Sequence, residues 1–203
     1  MCRIPARNER MFIMSRFKAL IALLSVLSLT FLFAGCKDGD TDKKLINEVS
    51  KIFEKDDTSE PEEDNDERYT FDHITLELPE GFTMRELSGV PIAVCPGYPD
   101  PSDNITFTQT GADNINNYNK SVFEEAYKQT FEGFREITSY EVIKVDGVDS
   151  IRMMYVISMN GMDMTQTQVF IFGKTFTDIV SFTSVSGIFD DAFEDCLASV
   201  KVK

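Results

Sequence analysis

Tryptophan is absent from the 203 residues, and histidine occurs once, at His73. A single imidazole leaves almost no material for a nucleophilic triad or a His-rich metal site. The chain carries no G-x-S-x-G, no H-E-x-x-H and no Walker A pattern. No catalytic residue, metal or cofactor is therefore assigned from sequence, and a non-enzymatic protein is expected. Positive charge is scarce as well, with 20 Lys and Arg against 34 Asp and Glu. Such a surface repels phosphate backbones, which argues against nucleic acid as a partner. It also argues against electrostatic adsorption to acidic lipid. No basic amphipathic helix is present, and long apolar runs are missing with one exception near the N-terminus.

That exception spans 19–34, follows Arg16 and Lys18, and closes on Phe33-Ala34-Gly35-Cys36. A basic stretch, an apolar core, small residues and a cleavage point form the layout of a secretion signal. With Cys next after the small pair, the segment resembles a bacterial lipoprotein signal peptide with its lipobox. Leu usually stands three residues before the Cys in that family; here it is Phe33, with Leu32 one place further back. The resemblance implies cleavage between Gly35 and Cys36, diacylglycerol on the Cys36 sulfur, and attachment to the outer face of the bacterial cell membrane. Buried methylenes contribute about 0.8 kcal/mol each, so two acyl chains hold where one binds marginally. The alternative is an uncleaved helix, since 19–35 is about the minimum needed to span a bilayer, roughly 17 residues. In either case the C-terminal part lies outside the cytoplasm. The true start is expected at Met14, with 1–13 an upstream extension of the frame.

Residues 1–35 carry five basic side chains (Arg3, Arg7, Arg10, Arg16, Lys18) and one acid, Glu9. Residues 36–203 hold 15 basic against 33 acidic residues, a net charge of −18. Residues 36–68 read as a flexible acidic tether, opened by Asp38-Gly39-Asp40-Thr41-Asp42 and closed by the run 60–67. Such runs stay solvated and extend by self-repulsion. The opening run fails as a calcium loop, because Lys43 and Val49 stand where Gly and Glu are needed. Leu45, Ile46, Val49, Ile52 and Phe53 sit at helical spacing, enough for a short helix that is marginal alone.

Residues 69–203 make one domain of about 135 residues, able to bury roughly two thirds of its unfolded surface. Alternation across 70–78 reads as a strand, Pro79-Glu80-Gly81 as a turn, and 82–87 as a strand pairing back. Short strands at 92–95 and 105–109 flank a Pro/Gly/Asp loop at 96–103. Ser121 with Glu124 has the form of a capping box. Val122, Phe123, Ala126, Tyr127, Thr130, Phe131 and Phe134 then fall on one helical face. Strands at 137–145, 148–159, 162–172 and 175–184 are separated by Asp146-Gly147, Asn160-Gly161 and Gly173-Lys174, residues suited to tight hairpins. An apolar stripe from Ile188 through Phe189, Ala192, Phe193, Cys196, Leu197 and Val200 predicts a closing helix. The expectation is an α+β fold, an antiparallel meander with amphipathic helices packed on it.

This order of elements is similar to the PsbP-like fold and to the DcrB-like lipoproteins of bacteria. The resemblance rests on Ile74-Thr75-Leu76-Glu77-Leu78-Pro79-Glu80-Gly81-Phe82, on Glu125-Ala126-Tyr127 and on residues 189–200. It implies a PsbP-like sandwich that binds or assists protein complexes at membranes and has no shared catalytic centre.

Several residues are candidates for function. With Cys36 lipidated, Cys95 and Cys196 remain as an even pair in an oxidising compartment. They form either a disulfide closing about 100 residues or two buried, inert thiols. Tyr98 and Asp100, in the proline-stiffened loop 96–103, are candidates for partner contact, against a plain crossover. His73 beside Asp72 is either an edge-strand histidine or half of a pH-sensing pair. Asp190, Asp191, Glu194 and Asp195 form a solvated helix face or a cation site. Asn104-Ile105-Thr106 matches a glycosylation sequon, which in a bacterial lipoprotein is chance. The expected function is binding of an envelope protein partner. A small-ligand pocket near Tyr127 and Tyr155 is the alternative, and a carboxylate-dependent wall or glycan hydrolase a third.

Overall fold

The computed structural model describes residues 68–87, 89–159 and 161–203. The expected signal segment, Cys36, the Leu45–Phe53 stretch and the rest of the expected tether up to residue 67 lie outside the described residues, and Arg68, placed in the tether, opens the first strand. The elements in chain order are β1 (Arg68–Phe71), β2 (Ile74–Glu77), β3 (Thr83–Leu87), β4 (Val90–Val94), β5 (Asn104–Gly111), a 3₁₀ turn (Ile115–Asn117) and α1 (Lys120–Thr130). Next come β6 (Phe134–Val145), β7 (Val148–Met159), β8 (Met162–Phe172), β9 (Phe176–Ser184), α2 (Asp190–Ala198) and β10 (Lys201–Val202). They build two antiparallel sheets, one of three strands in the order β1-β2-β10 and one of seven in the order β3-β4-β5-β9-β8-β7-β6.

The meander forms as its turn residues demand. Asp146 and Gly147 take φ of 48° and 84°, the left-handed pair a two-residue hairpin needs. Val145 then faces Val148 across the hairpin. Along β7 the pleat sends Ile151, Met153, Tyr155 and Ile157 inward, with Arg152, Met154, Val156 and Ser158 on the other side.

The large sheet is apolar on both faces. On one, α1 places Phe123, Ala126 and Tyr127 against Ile151, Met153, Tyr155, Ile157, Phe170 and Ile179. On the other, α2 and the small sheet bring Phe193, Cys196, Ile74 and Leu76 against Phe107, Val169, Val180 and Phe182. The two helices thus lie on opposite faces. Among the described residues no helix is long and apolar enough to cross a membrane.

Five local expectations are corrected. The strand expected across 70–78 breaks at Asp72-His73, where Asp72 takes φ of 40° and folds the chain into the β1–β2 hairpin. The strand after Gly81 pairs forward with β4, not back. The first helix is capped by Asn119, whose side-chain oxygen accepts from the Val122 N–H, so Ser121 lies inside the helix. It closes at Phe131, and Phe134 opens β6. The last helix begins at Asp190, leaving Ile188 exposed, and a two-residue strand, β10, comes after it to pair with β2.

Candidate functional site

The loop 96–103 is held from several sides. The Cys95 N–H donates to the Asp103 carbonyl at 3.2 Å, the Tyr98 N–H to the Cys95 carbonyl and the Asp100 N–H to that of Gly97, each at 3.2 Å. Asp103 is fully buried. Its carboxylate accepts from the backbone N–H of Val185 at 3.2 Å and of Ser186 at 3.3 and 3.4 Å, fastening the loop to the entry of α2. Tyr98 is half-buried against the core. Burial, the main cause, raises its phenol well above the usual value, so the side chain stays neutral. Pro99 and Asp100 form the exposed tip. Tyr98 and Asp100 therefore divide their roles, one a plinth and the other a surface group. Asn104 is buried and its amide donates to the Ser102 carbonyl at 2.8 Å, which withdraws the sequon from solvent.

Cys95 and Cys196 are both buried and both free. The disulfide weighed from sequence is not formed; each thiol is packed in the core on the α2 side of the large sheet. Cys95 Sγ donates to the Pro101 carbonyl at 3.2 Å. Burial pushes the Cys196 thiol up to about 12, with Glu77 adding to it. Burial and then Asp103 raise that of Cys95. Neither is a reactive thiolate at neutral pH.

His73 stands in the β1–β2 turn, and the carboxylate it meets is Asp178 of β9, with Nδ1 at 3.5 Å from Oδ2. The sequence neighbour Asp72 enters only as a second charge acting on Asp178. A carboxylate in the middle of β9 carries no sequence signal, because its partner lies about 100 residues away in the chain.

The site sought near Tyr127 and Tyr155 is filled by the rings themselves. They meet edge to face at 4.8 Å between centroids. Tyr127 Oη donates to Gln168 Oε1 and Tyr155 Oη to Gln166 Oε1. The amides pass the chains on across the β8–β9 register, Gln168 to Ser181 at 3.0 Å and Gln166 to Thr183 at 2.9 Å. Burial holds both phenols protonated, so they serve as donors.

A shallow cleft runs between α2 and the sheet, lined by Met154, Thr165, Phe182, Asp190, Glu194 and Leu197 among others. Its two acids already have partners. Glu194 pairs with Arg152, and Asp190 accepts from the Ser184 hydroxyl at 2.5 Å. Among the described residues no group of three or more His, Cys, Asp or Glu is placed to hold a metal.

No family model matches the chain, and no curated protein matches it in sequence. Solved structures do match. Cyanobacterial PsbP (CyanoP) from Synechocystis sp. PCC 6803 superposes with a TM-score of 0.53 at 12% identity, over 67% of this chain and 91% of that one. LpqN of Mycobacterium tuberculosis, described as involved in cell envelope biogenesis, gives 0.47 at 17% identity, over 64% and 83%. A protein of Bacteroides thetaiotaomicron VPI-5482 gives 0.43 at 14%, over 64% of this chain and 45% of its own length, so this chain spans under half of it. At such identities the likeness to CyanoP concerns the fold alone, and the domain is similar to PsbP in fold. Nothing is built on the two lower scores.

Proposed function

We propose that this protein is a non-catalytic lipoprotein, anchored at the outer face of a bacterial cell membrane by diacylglycerol on Cys36, whose domain binds a protein partner in the envelope. The observation that carries this is Phe33-Ala34-Gly35-Cys36 at the end of an apolar run preceded by Arg16 and Lys18. The acidic stretch after Cys36 supports it, since self-repulsion sets a domain off the membrane surface. We assign the partner contact to the tip of the 96–103 loop, Pro99 and Asp100. A loop already tied down by Asp103 and Cys95 loses little freedom on binding, which favours affinity.

The test is a photo-crosslinking residue at position 100 of the full chain, irradiated in intact cells, with position 142 on the exposed side of β6 as control. One reproducible protein adduct at 100, lost when Cys36→Ser detaches the domain, is the expected result. No adduct at 100, or the same adducts from 100 and 142, overturns the assignment.

A further inference from the structure

The β1–β2 turn and the C-terminal strand meet at one residue. The His73 carbonyl accepts from the Lys203 N–H at 2.8 Å, just beyond the pairing of Val202 with Ile74. The imidazole lies flat on Phe176, 3.8 Å between ring centroids and 1° between planes. Gly173 leaves room for that ring, since a Cβ there would stand 2.3 Å from it. Beneath the turn, the Asp178 side chain has no solvent exposure, against 36% for that of His73. Neither carboxyl oxygen of Asp178, nor Nδ1 of His73, has a well-formed hydrogen bond, and the donors acting on the carboxyl are the His73 imidazole and backbone N–H.

We propose that His73 and Asp178 form a proton-operated latch, which fastens the β1–β2 turn and the C-terminal strand to the seven-stranded sheet.

A carboxylate out of water, with only His73 to donate to it, is unfavourable as a lone anion. One proton shared by the pair relieves it. On the imidazole it gives an ion pair; on the carboxyl it gives a neutral acid. When the proton leaves, a bare anion remains under the turn. The other charges nearby do not replace it. Asp72, on the turn, adds repulsion. Lys201 of β10 is held by Asp146 at 3.5 Å, and Lys203 contributes its backbone N–H. The strand neighbours of Asp178, Gln109 on β5 and Ile171 on β8, are uncharged. The cation of the β8–β9 connection is Lys174.

Burial raises Asp178 to about 6, with His73 opposing and Asp72 adding. A carboxyl raised above its unfolded value, about 3.9, stabilises the closed state at low pH, and that contribution is lost as pH rises between those values. The latch is closed in mild acid and loosened near neutrality.

The test is amide hydrogen exchange on the full-length protein in detergent micelles, corrected for the intrinsic pH dependence. Peptides spanning 68–78 and 199–203 report the latch, and 148–159 is the control. Between pH 5 and 7.5 the latch peptides should lose about tenfold in protection relative to the control. Asp178→Asn should abolish that difference. His73→Gln should move its midpoint, because the shared proton then has one site in place of two. Equal pH profiles in wild type and Asp178→Asn, or loss of protection in the control alongside the latch peptides, overturn the proposal. If Asp178→Asn fails to fold, an unmoved midpoint in His73→Gln overturns it alone.

Discussion

Tyr155 holds its hydroxyl against Gln166 in a fully buried row, and the row ends at Thr183. Removing that one oxygen strands the Gln166 carbonyl in an apolar setting. Tyr155→Phe should therefore cost about 1–3 kcal/mol in urea unfolding, although the ring and its packing survive. Asp146 shows the opposite sign of pH dependence to Asp178. Its carboxylate accepts from the Val202 N–H at 3.0 Å, which with Lys201 holds its pKa below the usual value. That contribution is present above the ordinary carboxylate range and is lost as pH falls through the lowered value. Exchange at Val202 should quicken in acid relative to the control peptide, and Asp146→Asn should remove this acid sensitivity. None of Asp103, Asp146 and Asp178 was legible as a structural carboxylate. Each meets its partner only after strands distant in sequence come together, and in an acidic chain one more Asp gives no signal.

Among the elements, the hairpins of the meander were legible because Asp146-Gly147 names its own backbone geometry. β7 and β8 have the bounds their alternation predicts. The β1–β2 hairpin was hidden because its turn is built on Asp72-His73, within an unbroken alternation. β10 was hidden because two residues carry no periodicity. At α1 two polar residues compete for the cap, and geometry selects Asn119. Asn119→Ala should cost about 1 kcal/mol of stability, whereas Ser121→Ala, inside the helix, should cost much less. Thermal unfolding of the two variants side by side distinguishes them. Gly173→Ala acts on the same scale, displacing the Phe176 ring and with it the stacking surface of His73.

For the molecule as a whole, the layered α+β architecture arises from amphipathic helices and a sheet with two apolar faces. What the sequence pattern left open was which face each helix takes, since β9, the middle strand of the sheet, is buried on both sides. The proposed function joins this domain to a greasy anchor through a strongly acidic spacer. The measurement that tests it most directly is the intact mass of the protein extracted from cell membranes, with fragmentation of its N-terminal peptide. The account predicts a chain that begins at Cys36, carries diacylglycerol on that sulfur and lacks residues 1–35. A membrane-bound chain that retains 1–35, or one that begins elsewhere with Cys36 unmodified, would contradict it.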